Sequence, residues 1–156
     1  MPSEKSMDNS DERTDAGVST TLSLVAEQER LGEVMAWIEG QDIIDMSIQM
    51  RLQLVTEELF RNIAIHGYPN TPGPVRLYLT LIAQGIVLTI EDEGLPFDPL
   101  SQSALPDVDA EIEDRAVGGL GVHLVRNMTV KQEYLRVNSC NRITLTFAAS
   151  DAGGPP

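Results

Sequence analysis

The chain has 156 residues, which fits one domain at the usual size of roughly 100–200 residues. Eleven Lys and Arg stand against 24 Asp and Glu, a net charge of −13. That balance argues against nucleic acid as a partner, because phosphate backbones need clustered cations, and against an anionic membrane surface. Hydrophobic residues make up 42% and aromatics only 4%, so the core must be aliphatic. The single cysteine, Cys140, excludes an internal disulfide and a cysteine-based zinc site. The N-terminus is polar and acidic, without the apolar core of a signal peptide, and no apolar run approaches the ~20 residues of a membrane span. We therefore expect a soluble, cytoplasmic protein.

Residues 1–19 read as an acidic, disordered tail. Residues 20–26 alternate apolar and polar, with Leu22 and Leu24 on one face of a short strand. Over 27–39, Leu31, Val34, Met35 and Ile38 fall at helical spacing, and Gly40 ends that helix. A longer helix is expected from about Asp45 to His66. Ile48, Leu52, Val55, Leu59 and Ile63 form its apolar stripe, Gly67 is placed to cap it, and Pro69 prevents continuation. After a turn at 70–74, two strands at 75–83 and 86–91 form a hairpin around Gln84-Gly85. A strongly acidic stretch follows, net −5 over residues 98–115, too long for an ordinary connection. Loops of that length are lids, binding loops or plain insertions. A glycine-rich segment then opens a helix at 122–128. Two last strands, at 131–137 and 142–148, are joined by Asn138-Ser139-Cys140-Asn141, and residues 150–156 read as a frayed tail.

This order lacks the strict strand–helix alternation of a doubly wound sheet. It predicts an α+β domain over 20–149: a two-layer sandwich of a mainly antiparallel mixed sheet with helices on one face.

Three features bear chemistry. Glu58 and Asn62 lie one turn apart on one face of the long helix and border its apolar stripe. A carboxylate beside a carboxamide there suits a base near an oxygen-liganded cation, or is a solvated helix edge. Asp92-Glu93-Gly94 directly follows an apolar strand. The carboxylate can accept a hydrogen bond from an exocyclic amine such as adenine's, while Gly94 lets backbone pass close; a simple polar turn is the plainer reading. Gly118-Gly119-Leu120-Gly121 opens a helix, offering free N–H groups and a positive dipole end to phosphate, although flexible glycine loops before helices are common. It lacks the Gly-Lys-[Ser/Thr] ending of a P-loop.

Taken together and in this order, the three features resemble the GHKL (histidine-kinase-like) ATPases, and more narrowly the anti-sigma-factor serine kinases. The resemblance spans about Leu22 to Phe147. Glu58-Leu59-Phe60-Arg61-Asn62, trailing into His66-Gly67-Tyr68, resembles that family's Glu-x-x-x-Asn helix. Asp92-x-Gly94-x-Pro96-Phe97-Asp98-Pro99 is similar to its first glycine box, with the Pro-Phe-Asp-Pro ending of this subgroup. Gly118-Gly119-Leu120-Gly121-Val122-His123 resembles its second glycine box.

The resemblance implies ATP and Mg²⁺ as cofactors. Glu58 would be the general base, and Asn62 would ligate Mg²⁺ together with the phosphates. Asp92 would bind the adenine amine, with Gly94 and Pro96 shaping the first box. Gly118, Gly119, Leu120, Gly121 and Val122 would wrap the phosphates, and Thr144 would stand near adenine. Residues 98–117 would be the ATP lid. The implied activity is that of a protein serine kinase and anti-sigma factor, phosphorylating a serine of a STAS-domain anti-anti-sigma protein. A sigma factor and a homodimer are further implied partners. The alternative is a non-catalytic, ATP-gated binding module that sequesters a partner. Two departures stand out. The lid carries one basic residue, Arg115, so Mg²⁺ and backbone amides must neutralise the phosphates. Met128-Thr129-Val130 stands where many members have an Asp after the second-box helix. His66 and His123 sit inside motif helices, where a structural hydrogen-bonding role is expected of each.

Overall fold

Strand alternation and the helical stripes set two layers. The computed structural model describes residues 18–42, 44–101 and 119–149, with Gly119 and Leu120 described as backbone only. Five strands form one sheet: β1 (Ser19–Val25), β2 (Pro74–Ile82), β3 (Gly85–Asp92), β4 (Lys131–Val137) and β5 (Cys140–Ala148), in the spatial order β1-β2-β3-β5-β4. All four pairings are antiparallel, so the parallel component of a mixed sheet is not found among the described residues. The register aligns Leu24 with Val75, Leu77 with Ile90, and Ile90 with Ile143. Because side chains alternate, this lays Leu24, Val75, Leu77, Leu79, Ile86, Leu88, Ile90, Ile143, Leu145 and Phe147 on one buried face.

Three helices cover that face: α1 (Leu31–Glu39), α2 (Met46–Asn62) and α3 (Gly119–Met128). Val34 and Ile38 of α1, with Ile48, Leu52, Val55, Leu59 and Phe60 of α2, close the core, and Val125 of α3 joins it. The first expected helix divides into a 3₁₀ turn (Gln28–Arg30) and α1. Asp45 caps α2, its carboxylate accepting from the Ser47 N–H at 2.7 Å. Arg51 ties the helix to the sheet through the Ala148 carbonyl at 3.0 Å.

Three local expectations are corrected. The long helix ends at Asn62 and passes into a π turn (Ile63–Gly67), where the Tyr68 N–H donates to the Ile63 carbonyl at 3.2 Å. Gly67 is therefore not a left-handed cap. Among described glycines only Gly85 has a left-handed φ, +151°. The β2–β3 turn is Ala83-Gln84, with Gly85 paired to Ile82. A Cβ at Gly85 would overlap the Phe147 carbonyl oxygen. Finally, Asn138 and Ser139 alone make the β4–β5 turn, both left-handed at φ 53° and 62°, the pattern of a tight hairpin. Cys140 and Asn141 are consequently strand residues. The acidic tail, the terminal residues after 149 and, beyond residue 101, the expected lid lie outside the described residues.

Candidate functional site

The site lies where the end of α2 meets the ends of β3 and β5. Asn62 and Asp92 line one cleft, whose walls are Leu59, Ile63, Ile90, Leu95, Phe97 and Ile143. A recess adjoining it is lined by Glu58, Asn62, Pro99, Gly121 and Val122. Leu59, Asn62, Phe97 and Pro99 belong to both, so the two spaces form one trough with a carboxylate near each end.

At one end, Asp92 is only 6% exposed. Its Oδ1 accepts from the Gly94 N–H at 2.9 Å and from Asn141 Nδ2 at 2.9 Å. Its Oδ2 has no donor among the described residues, so one carboxylate oxygen remains available to a ligand. Burial is the leading cause that raises the Asp92 pKa above the ordinary 3.8, opposed by the hydrogen bonds of Asn141 and Gly94 and by the charge of Arg136.

Gly94 is required by close approach. A Cβ there would stand 2.7 Å from the Gly67 carbonyl oxygen and 3.0 Å from Asp92 Oδ1. The loop is pinned to the helix end on both sides of Gly94: the Leu95 N–H donates to the Gly67 carbonyl at 3.0 Å, and the Glu93 N–H donates to the Tyr68 hydroxyl at 2.6 Å. That hydroxyl donates in turn to the Pro74 carbonyl at 2.7 Å. Burial, with the neighbouring Asp92 and Glu93, pushes the Tyr68 phenol up to about 12, so it stays a neutral donor.

Asn141, 5% exposed, is the residue that sequence reasoning missed. Its amide donates to Asp92 Oδ1 and to the Leu95 carbonyl, both at 2.9 Å. Its oxygen accepts from the Tyr134 hydroxyl, from Arg136 Nη1 at 2.9 Å and from the Phe97 N–H at 3.4 Å. Arg136 also donates to the Gly94 carbonyl at 3.1 Å. One side chain thus holds the carboxylate, the loop and the edge strand together. The signal available was parity: Asn141 precedes Ile143, Leu145 and Phe147 by steps of two, which puts it on the core face. Thr144 falls on the opposite parity. It pairs with Thr89 and Glu133 on the helix-free face of the sheet and does not line the cleft, which corrects its expected place near adenine.

At the other end, Asn62 Nδ2 donates to Glu58 Oε1 at 3.4 Å. Asn62 Oδ1 has no donor among the described residues, and Asn62 lines both parts of the trough. No cluster of three or more His, Cys, Asp or Glu able to hold a metal occurs among the described residues. A Mg²⁺ bound chiefly through phosphates and water needs only one such protein oxygen, so the residues fit that ion. Opposite Glu58, a Cβ on Gly121 would stand 2.6 Å from Glu58 Oε1. Val122 is buried beside it. Pro96 is exposed and lines an adjoining hollow with Gly67, Tyr68, Gly94 and Arg136 rather than the cleft itself. Gly119 and Leu120 belong to the first turn of α3, and Gly118 lies outside the described residues. His66 is exposed and His123 half-buried, and neither lines the trough.

The chain is 28% identical over 130 residues to the serine/threonine-protein kinase BtrW of Bordetella bronchiseptica, covering 81% of this chain and 91% of that one. The structure resembles the blue-light activated histidine kinase EL346 of Erythrobacter litoralis, with a TM-score of 0.53 at 16% identity, over 81% of this chain and 42% of that one. That likeness concerns the fold. The model of the histidine kinase-like ATPase domain matches residues 18–147, well over half of the chain, and the chain therefore belongs to the histidine kinase-like ATPase domain family.

Proposed function

We propose that this protein binds ATP with Mg²⁺ and transfers the γ-phosphoryl group to a serine of a STAS-domain anti-anti-sigma protein, acting as kinase and anti-sigma factor. The observation that carries the reading is the trough itself: a buried Asp92 with one carboxylate oxygen unpaired among the described residues at one end, and Asn62 with Glu58 at the other. Asp92 Oδ2 accepts from the 6-amino group of adenine. A 6-oxo purine would set oxygen against oxygen there, so the site favours adenine. Leu59, Ile63, Ile90 and Ile143 give the ring an apolar slot.

At the phosphate end, Asn62 Oδ1 would hold Mg²⁺, which when bound would supply charge neutralisation for the ATP phosphates. The Gly121 side of α3 brings backbone and a helix start close to Glu58 without a side chain between them. The serine Oγ attacks the γ-phosphorus and forms the new P–O bond. The bond to the β-phosphate oxygen breaks, ADP leaves, and the serine proton passes to Glu58. A carboxylate takes that proton only as attack proceeds, which phosphoryl transfer tolerates because positioning and charge neutralisation supply most of the catalysis. Similarity to BtrW, a serine/threonine-protein kinase, supports serine over histidine as the acceptor. The sigma-factor partner and the homodimer belong to the same proposal.

The test is incubation with γ-labelled ATP, Mg²⁺ and STAS-domain proteins from the source genome, with Glu58→Gln as control. Label on one STAS serine, lost in the variant while ATP binding persists, is the expected result. ATP binding without label on any of them would replace the kinase by the ATP-gated binding module.

A further inference from the structure

Met46, Met50 and Leu54 of α2 are 73%, 62% and 47% exposed, on the face of the helix turned away from the core. They stand four residues apart, and the next step of four is Glu58. Each step advances about 6 Å along the helix and about 40° around it. The stripe therefore runs about 18 Å and turns from the outer surface of α2 to the rim of the trough. Beside it lies a groove between α1 and α2, lined by Met35, Glu39, Met50, Gln53, Leu54 and Glu57. Gln53 donates to Glu39 at 3.2 Å, and Arg61 holds Glu57 at 3.0 Å, so both carboxylates stay at the rim.

Soluble surfaces usually scatter their large apolar residues singly. Here three lie in one line, two of them methionines, whose flexible thioethers adapt to different shapes. The carboxylates at the rim decide the kind of occupant. A second copy would bring like charges against them, whereas a partner with apolar side chains and a Lys or Arg beside them is complementary.

The geometry points to the Met46–Met50–Leu54 stripe as the docking track of the protein substrate, which lays apolar and basic residues along α2 and delivers its serine hydroxyl to Glu58. This inference rests on the kinase reading above. The track is small beside a stable interface of about 800 Å² per partner, which suits a substrate that must leave after transfer.

The test uses the full chain, Met50→Glu and Leu54→Glu, with Met50→Leu as the conservative control. The probe is the STAS-domain protein that accepts label. ATP affinity should stay within about twofold. The KM for the STAS protein should rise at least tenfold in both Glu variants with kcat nearly unchanged, and Met50→Leu should behave as wild type. Unchanged KM with intact transfer would overturn the docking track and leave the kinase standing. Conversion of a dimer to a monomer by Met50→Glu, seen by light scattering, would also overturn it and assign the face to a second copy. Binding of the same STAS proteins, measured directly, separates the two readings. A complex lost in Met50→Glu but never phosphorylated would keep the track and sink the kinase. No complex with the wild-type chain would overturn the track.

Discussion

Replacing Asn141 by Leu removes five hydrogen bonds at nearly constant side-chain volume. Asp92 Oδ1 keeps only the Gly94 N–H, the Leu95 carbonyl loses its donor, and Tyr134 and Arg136 lose an acceptor. Buried polar groups left unpaired cost about 1–3 kcal/mol each, and several here retain partial access to water, so we expect a stability loss of about 2–4 kcal/mol. A hydrogen bond to a charged acceptor contributes about 1.5–3 kcal/mol, so if it is Asn141 that orients Asp92 for adenine, ATP affinity falls about 10- to 100-fold. The loss should be larger at lower than at higher pH, because Asn141 is the largest of the influences opposing the effect of burial on Asp92. Fluorescent-nucleotide titration at a low and a high pH, alongside urea unfolding, reads these effects. Thr144→Val, three residues along the same strand but on the other face, should leave ATP affinity unchanged. Wild-type affinity in Asn141→Leu at both pH values would refute the argument that Asp92 is held in place by this side chain.

Other expectations follow from the same contacts. Gly94→Ala drives a Cβ against the Gly67 backbone, which cannot swing aside, so it should lose both ATP binding and about 2 kcal/mol or more of stability by thermal unfolding. Gly121→Ala meets only the mobile end of Glu58; the melting temperature should hold or rise, since Ala favours a helix over Gly by about 1 kcal/mol, while phosphoryl transfer drops at least tenfold. A lowered melting temperature with wild-type transfer would refute that contact. Asp92, whose folded pKa lies above its unfolded 3.8, stabilises the fold fully below 3.8, and this contribution is lost as pH rises through the folded value. Relative to Asp92→Asn, the wild-type protein should therefore lose stability with rising pH across that window, while its ATP affinity gains. Parallel pH profiles for the two proteins in urea unfolding would count against the assignment.

The strands and helices were legible because their apolar residues are strictly periodic. Ile48 to Leu59 and Ile86 to Ile90 could face only one way, and both line the core. Glu58, Asn62 and Asp92 were also legible, since their spacing places them at an element end or on one helical face. What escaped was set by non-local contact. The β4–β5 turn needed Asn138 and Ser139 in left-handed conformation, and without that knowledge Asn141 was counted into the turn instead of the sheet. That one misplaced boundary hid the hub of the cleft, while the place of Thr144 near adenine rested on the family resemblance alone. Gly67 misled for a related reason: its position after a helix suggests a cap, whereas what the structure uses is its carbonyl, which accepts from the Leu95 N–H across the loop.

The π turn at Ile63–Gly67 bears on which length changes this protein can accept. A π turn is an α-helix with one residue too many. Removing any one of residues 64–66 would relax the backbone into an ordinary helix and so look harmless locally. It would also shorten the path from Asn62 to the Gly67 carbonyl that holds the Leu95 N–H and to the Tyr68 hydroxyl that holds Glu93, and so strain both bonds. The two-residue Ala83-Gln84 turn, far from the trough, has no such link to the nucleotide end. A deletion library read by ATP binding should thus tolerate single-residue changes at 83–84 far better than at 64–66, so the extra residue in the turn acts as a fixed ruler between the helix and the first glycine loop.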